Sequence, residues 1–236
     1  NAALCRAFPA VCDNGRMIRN FAQMIRSGQF GRKSFGSVPK ALIRQYLTSA
    51  PVEKLFRDSI GTTPSLAEVI KMVHPRSTDK SKDALFGYLT GSKKLDAKKS
   101  KYLPLIVKEM ELFKKGDGAM PRTAPMQMLT AFAKTEDDWL KIAARASWTE
   151  TRMNLASFNR HGVFKDKDVT NALAARLRDP ALIRNSKCFP YQLFTAYLHT
   201  TDVPVTLRNA LQDALEVATE NVPDYSSLVK GTVVVC

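Results

Sequence analysis

From Asp13 to Glu53 the chain holds seven basic side chains, Arg16, Arg19, Arg26, Arg32, Lys33, Lys40 and Arg44, and no acidic residue lies between those two carboxylates. Such a polarised stretch suits a polyanion, because each guanidinium or ammonium neutralises a phosphate and releases its condensed counterion. Within it lies GQFGRKSFGS, residues 28–37, where three glycines surround Arg32 and Lys33 and the aromatics Phe30 and Phe35. Glycine lets a backbone approach a phosphate closely, and an aromatic beside a guanidinium offers a surface on which an unpaired base stacks. A flexible basic loop with both phenylalanines tucked into a core fits the same residues equally well.

No other chemistry is so clearly written. Neither G-x-x-x-x-G-K-[ST] nor G-x-G-x-x-G occurs, so a nucleotide-phosphate cradle is not indicated. The cysteines Cys5, Cys12, Cys188 and Cys236 form no C-x-x-C pair and no metal spacing with His74, His161 and His199, and read as reduced thiols. His74 ends a helical stretch beside Lys71 and Arg76 and reads either as a phosphate or base contact or as a junction residue. His161, before Gly162 at a helix end, reads as a cap or packing residue, and His199 has no evident partner. Asp137 and Asp138 beside Trp139 admit a base-excision pocket, although the first turn of a helix accounts for two acids more simply. With no nucleophile motif or paired carboxylates, the chain reads as a non-enzyme.

The elements that would position these residues read as helices almost throughout. Asp13 is expected to cap a helix whose Met17, Ile18, Phe21, Met24 and Ile25 share one face, ending before Gly28. Ser37 opens the next, with Leu42, Ile43, Tyr46 and Leu47 inward. Ser65 and Glu68 form a capping-box pattern, and Pro75 stops that helix after His74. Further helices are predicted over about 80–90, 102–114, 124–133, 136–146, 149–160, 167–178, 190–198 and 204–221. On the first of these helices Arg16, Arg19 and Arg26 fall opposite the apolar stripe, so packing should leave them to water or a ligand. SKKLDAKKSK, residues 92–101, reads as a solvated connector, and the acids of 201–224 make the last helix a poor polyanion surface.

Composition sets the frame. The 236 residues are 44% hydrophobic, enough for a sizeable core, and 36 Lys and Arg against 22 Asp and Glu give +14 at pH 7. No apolar run approaches a membrane span and no secretion signal shows, so a cytoplasmic protein is expected. A dozen or so short helices in series suit an all-α solenoid of divergent, HEAT-like helix pairs. The chain ends on KGTVVVC, which reads as a β-strand.

Five stretches, DNGRMIRNFAQMIRSGQFGRKSFGSVPKALIRQYL (13–47), SLAEVIKMVHPR (65–76), TRMNLASFNRHGVF (151–164), SKCFPYQLFTAY (186–197) and LRNALQDALEVATENVP (207–223), together resemble the TROVE-domain family, which includes the Ro autoantigen and its bacterial orthologues. The spelling is nearer the bacterial branch. The resemblance implies a ring-forming HEAT-like domain over 1–225, lacking its first helices, and over 226–236 a linker with the first strand of a von Willebrand factor A domain, cut before its D-x-S-x-S metal site. A divalent cation would belong to that further domain, and this chain itself needs no cofactor. It further implies a monomeric ring that binds Y-type noncoding RNA on its outer surface and single-stranded ends of misfolded RNA in its cavity, partnered by an exoribonuclease in RNA quality control. The family's RNA-contacting histidine matches His74, followed by Arg76, and its basic residues on the preceding helix align with Lys54 and Arg57. The alternatives are a helical scaffold whose grooves take peptides and a HEAT-like DNA glycosylase.

Overall fold

A computed structural model of the chain describes residues 2–29, 31, 34–91 and 101–220. Phe30, Arg32, Lys33, nearly all of the lysine-rich connector, Cys236 and the expected terminal strand lie outside the described residues. Among those described, every regular element is helical: fourteen α-helices and one 3-10 turn. They form two compact units, one ending at Phe132 and the other beginning at Ala133.

The first unit contains α1 (Ala2–Val11), α2 (Gly15–Arg26), α3 (Ser37–Ser49), α4 (Val52–Asp58), α5 (Leu66–Val73), α6 (Lys80–Leu89), α7 (Leu105–Lys115) and α8 (Met126–Thr130). Polar side chains set where these helices begin. Asn14, rather than Asp13, caps α2, its side chain accepting from the Met17 amide at 3.0 Å, while Asp13 accepts from the Asn14 amide group. Ser65 and Glu68 close the expected capping box on α5: Glu68 accepts from the Ser65 backbone at 2.7 Å, and Ser65 from the Glu68 backbone at 3.2 Å. Asp79 caps α6.

Apolar stripes then join these helices. Ile18 and Ala22 of α2, Ile43 and Leu47 of α3, Leu55 of α4, Val69 and Val73 of α5 and Leu85 of α6 are all buried. Alpha2 packs on α4 and α5, α3 on α5, and α6 on both α4 and α5. One expectation fails here: Met24 is 53% exposed. At about 100° per residue the buried stripe centres on Ile18 and Ala22, and Met24 lies about 140° from that centre, on the far side of the helix.

The second unit contains α9 (Glu136–Arg145), α10 (Trp148–Arg160), a 3-10 turn (Val163–Lys165), α11 (Lys167–Arg178), α12 (Pro180–Ser186), α13 (Pro190–Leu198) and α14 (Val205–Glu220). Thr135 with Asp138 and Ser147 with Glu150 close two more capping boxes. Alpha14 carries Ala210, Ala214 and Ala218 at four-residue spacing, all buried, and these small side chains let α11 and α13 approach it closely. The Trp148 indole donates to the Leu177 carbonyl at 3.1 Å, satisfying its polar atom inside the core. The Arg176 guanidinium donates to the Ala143 and Ala144 carbonyls, capping the end of α9.

Three helices escape the sequence reading. Alpha4 and α12 have seven residues each, under two full turns, too short to display a period. Asp179 both ends α11 and caps α12, whose first residue is Pro180, so the two run together in sequence. Alpha1 has no acidic first turn and carries Pro9 inside it; it is held by Phe8, buried and edge-on to Phe21 with ring centroids 5.1 Å apart.

Candidate nucleic-acid interface

The basic residues of the first unit fall into groups that the tertiary structure treats differently. At the corner between α2 and α4, Gly15 lies directly against Asp58, since a β-carbon there would stand 2.4 Å from the Asp58 Cβ. That approach brings Arg19 over the end of α4. Its Nη1 donates to the Asp58 carbonyl at 2.8 Å, and Gly61, at φ +110°, leaves room for the guanidinium: a β-carbon would stand 2.5 Å from Nη2. The expectation that packing leaves Arg19 free is therefore corrected. With the buried stripe centred on Ile18 and Ala22, the residue lies about 80° from that centre, on the flank of the helix, where a neighbouring helix end covers it. Burial lowers its pKa, and the nearby Arg16 lowers it further against the opposing charge of Asp58.

Lys54 is held at the same corner. Its Nζ donates to the Asp13 carbonyl at 2.5 Å and to the Tyr46 hydroxyl at 2.8 Å, and lies 3.7 Å from Asp58 Oδ2. The Tyr46 hydroxyl in turn donates to Asp58 Oδ2 at 2.5 Å. Burial, and then the Asp58 carboxylate, push the Tyr46 pKa well above its ordinary value. Lys54 thus serves as a structural tie, and its charge is partly compensated.

A second group surrounds α5. Arg44 donates from Nε to the Val73 carbonyl at the end of that helix. His74 follows in the left-handed conformation, φ 48° and ψ 63°, its backbone N–H bonded to the Ile70 carbonyl at 2.9 Å. Pro75 cannot extend the helix, and both His74 and Arg76 are exposed. At the opposite end of α5, roughly 11 Å away for eight residues, Arg26 stands near Glu68. The Glu68 carboxyl lies below its ordinary range through bonds from the Ser65 backbone and hydroxyl, with Arg26 and Lys71 contributing. An open recess of about 660 Å³ there is lined by Gln23, Arg26, Thr62, Thr63, Pro64 and Glu68, among others.

The seven cations of the acid-free stretch are thus not equivalent. Arg16 and Arg26 are exposed, Lys40 is half-buried, Arg19 and Arg44 are tied to backbone carbonyls, and Arg32 and Lys33 lie outside the described residues. Phe35 is half-buried. From the later set Arg57, His74 and Arg76 are exposed. Lys71, noted in the sequence as a neighbour of His74, is exposed too, on a helix turn away from the apolar stripe.

The acids beside Trp139 are already employed. Asp138 accepts from the Lys134 and Thr135 backbones at 3.0 Å each, and Asp137 pairs with Lys141 at 2.5 Å. Burial pushes the Asp138 carboxyl up, but these bonds outweigh it and hold it below the usual range. Trp139 is buried, and His161 caps α10 while stacking on the indole with centroids 3.9 Å apart. Cys5, Cys12 and Cys188 carry no disulfide, and burial raises the pKa of Cys12 and Cys188. Among the described residues no three His, Cys, Asp or Glu converge as metal ligands, and no helix is long and apolar enough to cross a membrane.

Among the described residues these helices define an all-helical fold. The fold is similar to that in the crystal structure of the RO (RSR) protein of Deinococcus radiodurans, with a TM-score of 0.64 and 16% sequence identity over 92% of this chain and 48% of that one. The chain therefore spans about half the length of that protein, and the likeness is one of fold. No family model matches the sequence, and no curated protein matches it.

Proposed function

We propose that the chain is the helical part of a Ro-type RNA-binding protein of the bacterial branch. The single observation that carries the reading is the set of exposed cations, Arg16, Arg26, Arg57, His74 and Arg76, that remains in the first unit after packing, on a chain of net charge +14. Arg44 takes part by fixing the backbone from which His74 and Arg76 project. The Ro-like fold and the five TROVE-like stretches support the rest: a HEAT-like ring, TROVE membership over 1–225, a following von Willebrand factor A domain, and cytoplasmic work on Y-type RNA and misfolded RNA with a partner nuclease. Lys40, Arg32 and Lys33 are proposed to hold phosphates with Arg16 and Arg26, and Phe30 or Phe35 to stack on an unpaired base, while Arg57, His74 and Arg76 belong to a second RNA surface.

Phosphates would bind the exposed guanidinium groups as charge-assisted hydrogen bonds, and unpaired bases would distinguish single strands from duplex. In competition for the chain, an RNA hairpin with a single-stranded 3′ tail is expected to displace a blunt hairpin of equal length at lower concentration. Equal competition by the two RNAs, together with binding that ignores ionic strength, would instead indicate a peptide-binding scaffold.

A further inference from the structure

Alpha13 turns an aromatic face outward. Phe189, Tyr191, Phe194 and Leu198 expose 56%, 67%, 53% and 55% of their surfaces, while the opposite side of the helix buries Leu193. Tyr191, Phe194 and Leu198 follow a spacing of three and then four residues, so they line one face. The Phe189 and Tyr191 rings lie nearly parallel, 18° apart with centroids at 6.1 Å. The start of the helix is pinned: Gln192 Oε1 accepts from the Phe189 backbone at 3.2 Å, and Arg152 of α10 donates to the Gln192 carbonyl at 3.0 Å.

Along the chain the segment that carries this face has charges of one sign only, although α14, packed on α13, bears Asp213, Glu216 and Glu220. From residue 180 to 201 no acidic residue occurs, while Arg184 and Lys187 are both exposed. Exposed rings with cations two and five residues before Phe189 in sequence match a base with its phosphate, since bases extend an aromatic stack whatever their sequence. We infer that α13 is a stacking platform for unpaired bases of single-stranded RNA, with Phe189 and Tyr191 taking bases and Arg184 and Lys187 the flanking phosphates. This inference rests on the RNA-binding reading and adds a site in the second unit, distinct in sequence from the stretch between Asp13 and Glu53.

The test uses the whole chain and two labelled probes, an oligouridine of about 12 nucleotides, within the span of one such module, and a blunt RNA hairpin. Replacing Phe189→Ala together with Tyr191→Ala should weaken oligouridine binding about thirtyfold or more. Its salt dependence and the affinity for the hairpin should be unchanged, and Tyr191→Phe should bind as the wild type does. Ultraviolet irradiation should crosslink oligouridine within the tryptic peptide spanning residues 188–208. Undiminished oligouridine binding by the double variant, with hairpin binding intact, overturns the platform and leaves the RNA-binding reading standing. If the wild type binds neither probe, both fall. Loss of self-association in sedimentation, with oligouridine affinity retained, makes the face a protein contact and overturns the inference.

Discussion

Arg57→Glu combined with Arg76→Glu is expected to lower affinity for a tailed RNA hairpin by one to two orders of magnitude, on the order of tenfold for each reversed charge at low salt. Both guanidinium groups are exposed, and neither is tied to another described residue. Reversal therefore removes two phosphate contacts and adds repulsion without opening a cavity. The salt dependence should become shallower by about one unit for each lost contact. Thermal stability should be nearly unchanged, since surface substitutions away from caps and cores usually stay within about 0.5 kcal/mol. Lys115→Glu with Lys167→Glu changes net charge equally at exposed sites outside the proposed surface and should cost far less affinity. Equal losses in the two double variants would mean that RNA senses only total charge.

The second large effect concerns stability. Phe158 has no exposed surface and meets Trp139 edge-on, with centroids 6.5 Å apart, in the core of the second unit. Phe158→Ala is expected to cost about 3–5 kcal/mol, combining lost transfer energy with the cavity left behind. Met153→Ala on the same helix removes a side chain that is mostly exposed and should change stability by about 0.5 kcal/mol or less. Urea unfolding followed by tryptophan fluorescence distinguishes them, because both tryptophans, Trp139 and Trp148, lie in that unit. A small cost for Phe158→Ala would show that the aromatic centre of the unit is not packed as described.

What the sequence made legible was local. Ser65 and Glu68 announce a capping box because both partners lie three residues apart, and the bonds form as expected. The buried faces of α3 and α5 follow from a helical period over enough turns to be seen. The pattern fails where length or distance intervenes. Alpha4 and α12 are too short to show a period, and Arg19 is covered by a residue 39 positions away. Lys54 likewise reads as a free cation until Tyr46 and Asp58 are brought beside it. The α13 face escaped for the opposite reason: an apolar stripe reads as core, and only the fold shows that Tyr191 and Phe194 remain in water.

Phosphate binding by the first unit shows most directly in how RNA affinity responds to salt. Titrating the wild-type chain with a tailed RNA hairpin between about 0.05 and 0.2 M salt should give a logarithmic slope of about −2 or steeper. That is the value for three or more phosphates neutralised on single-stranded RNA. A flat line over that range would contradict the claim that the exposed cations of the first unit hold an RNA backbone.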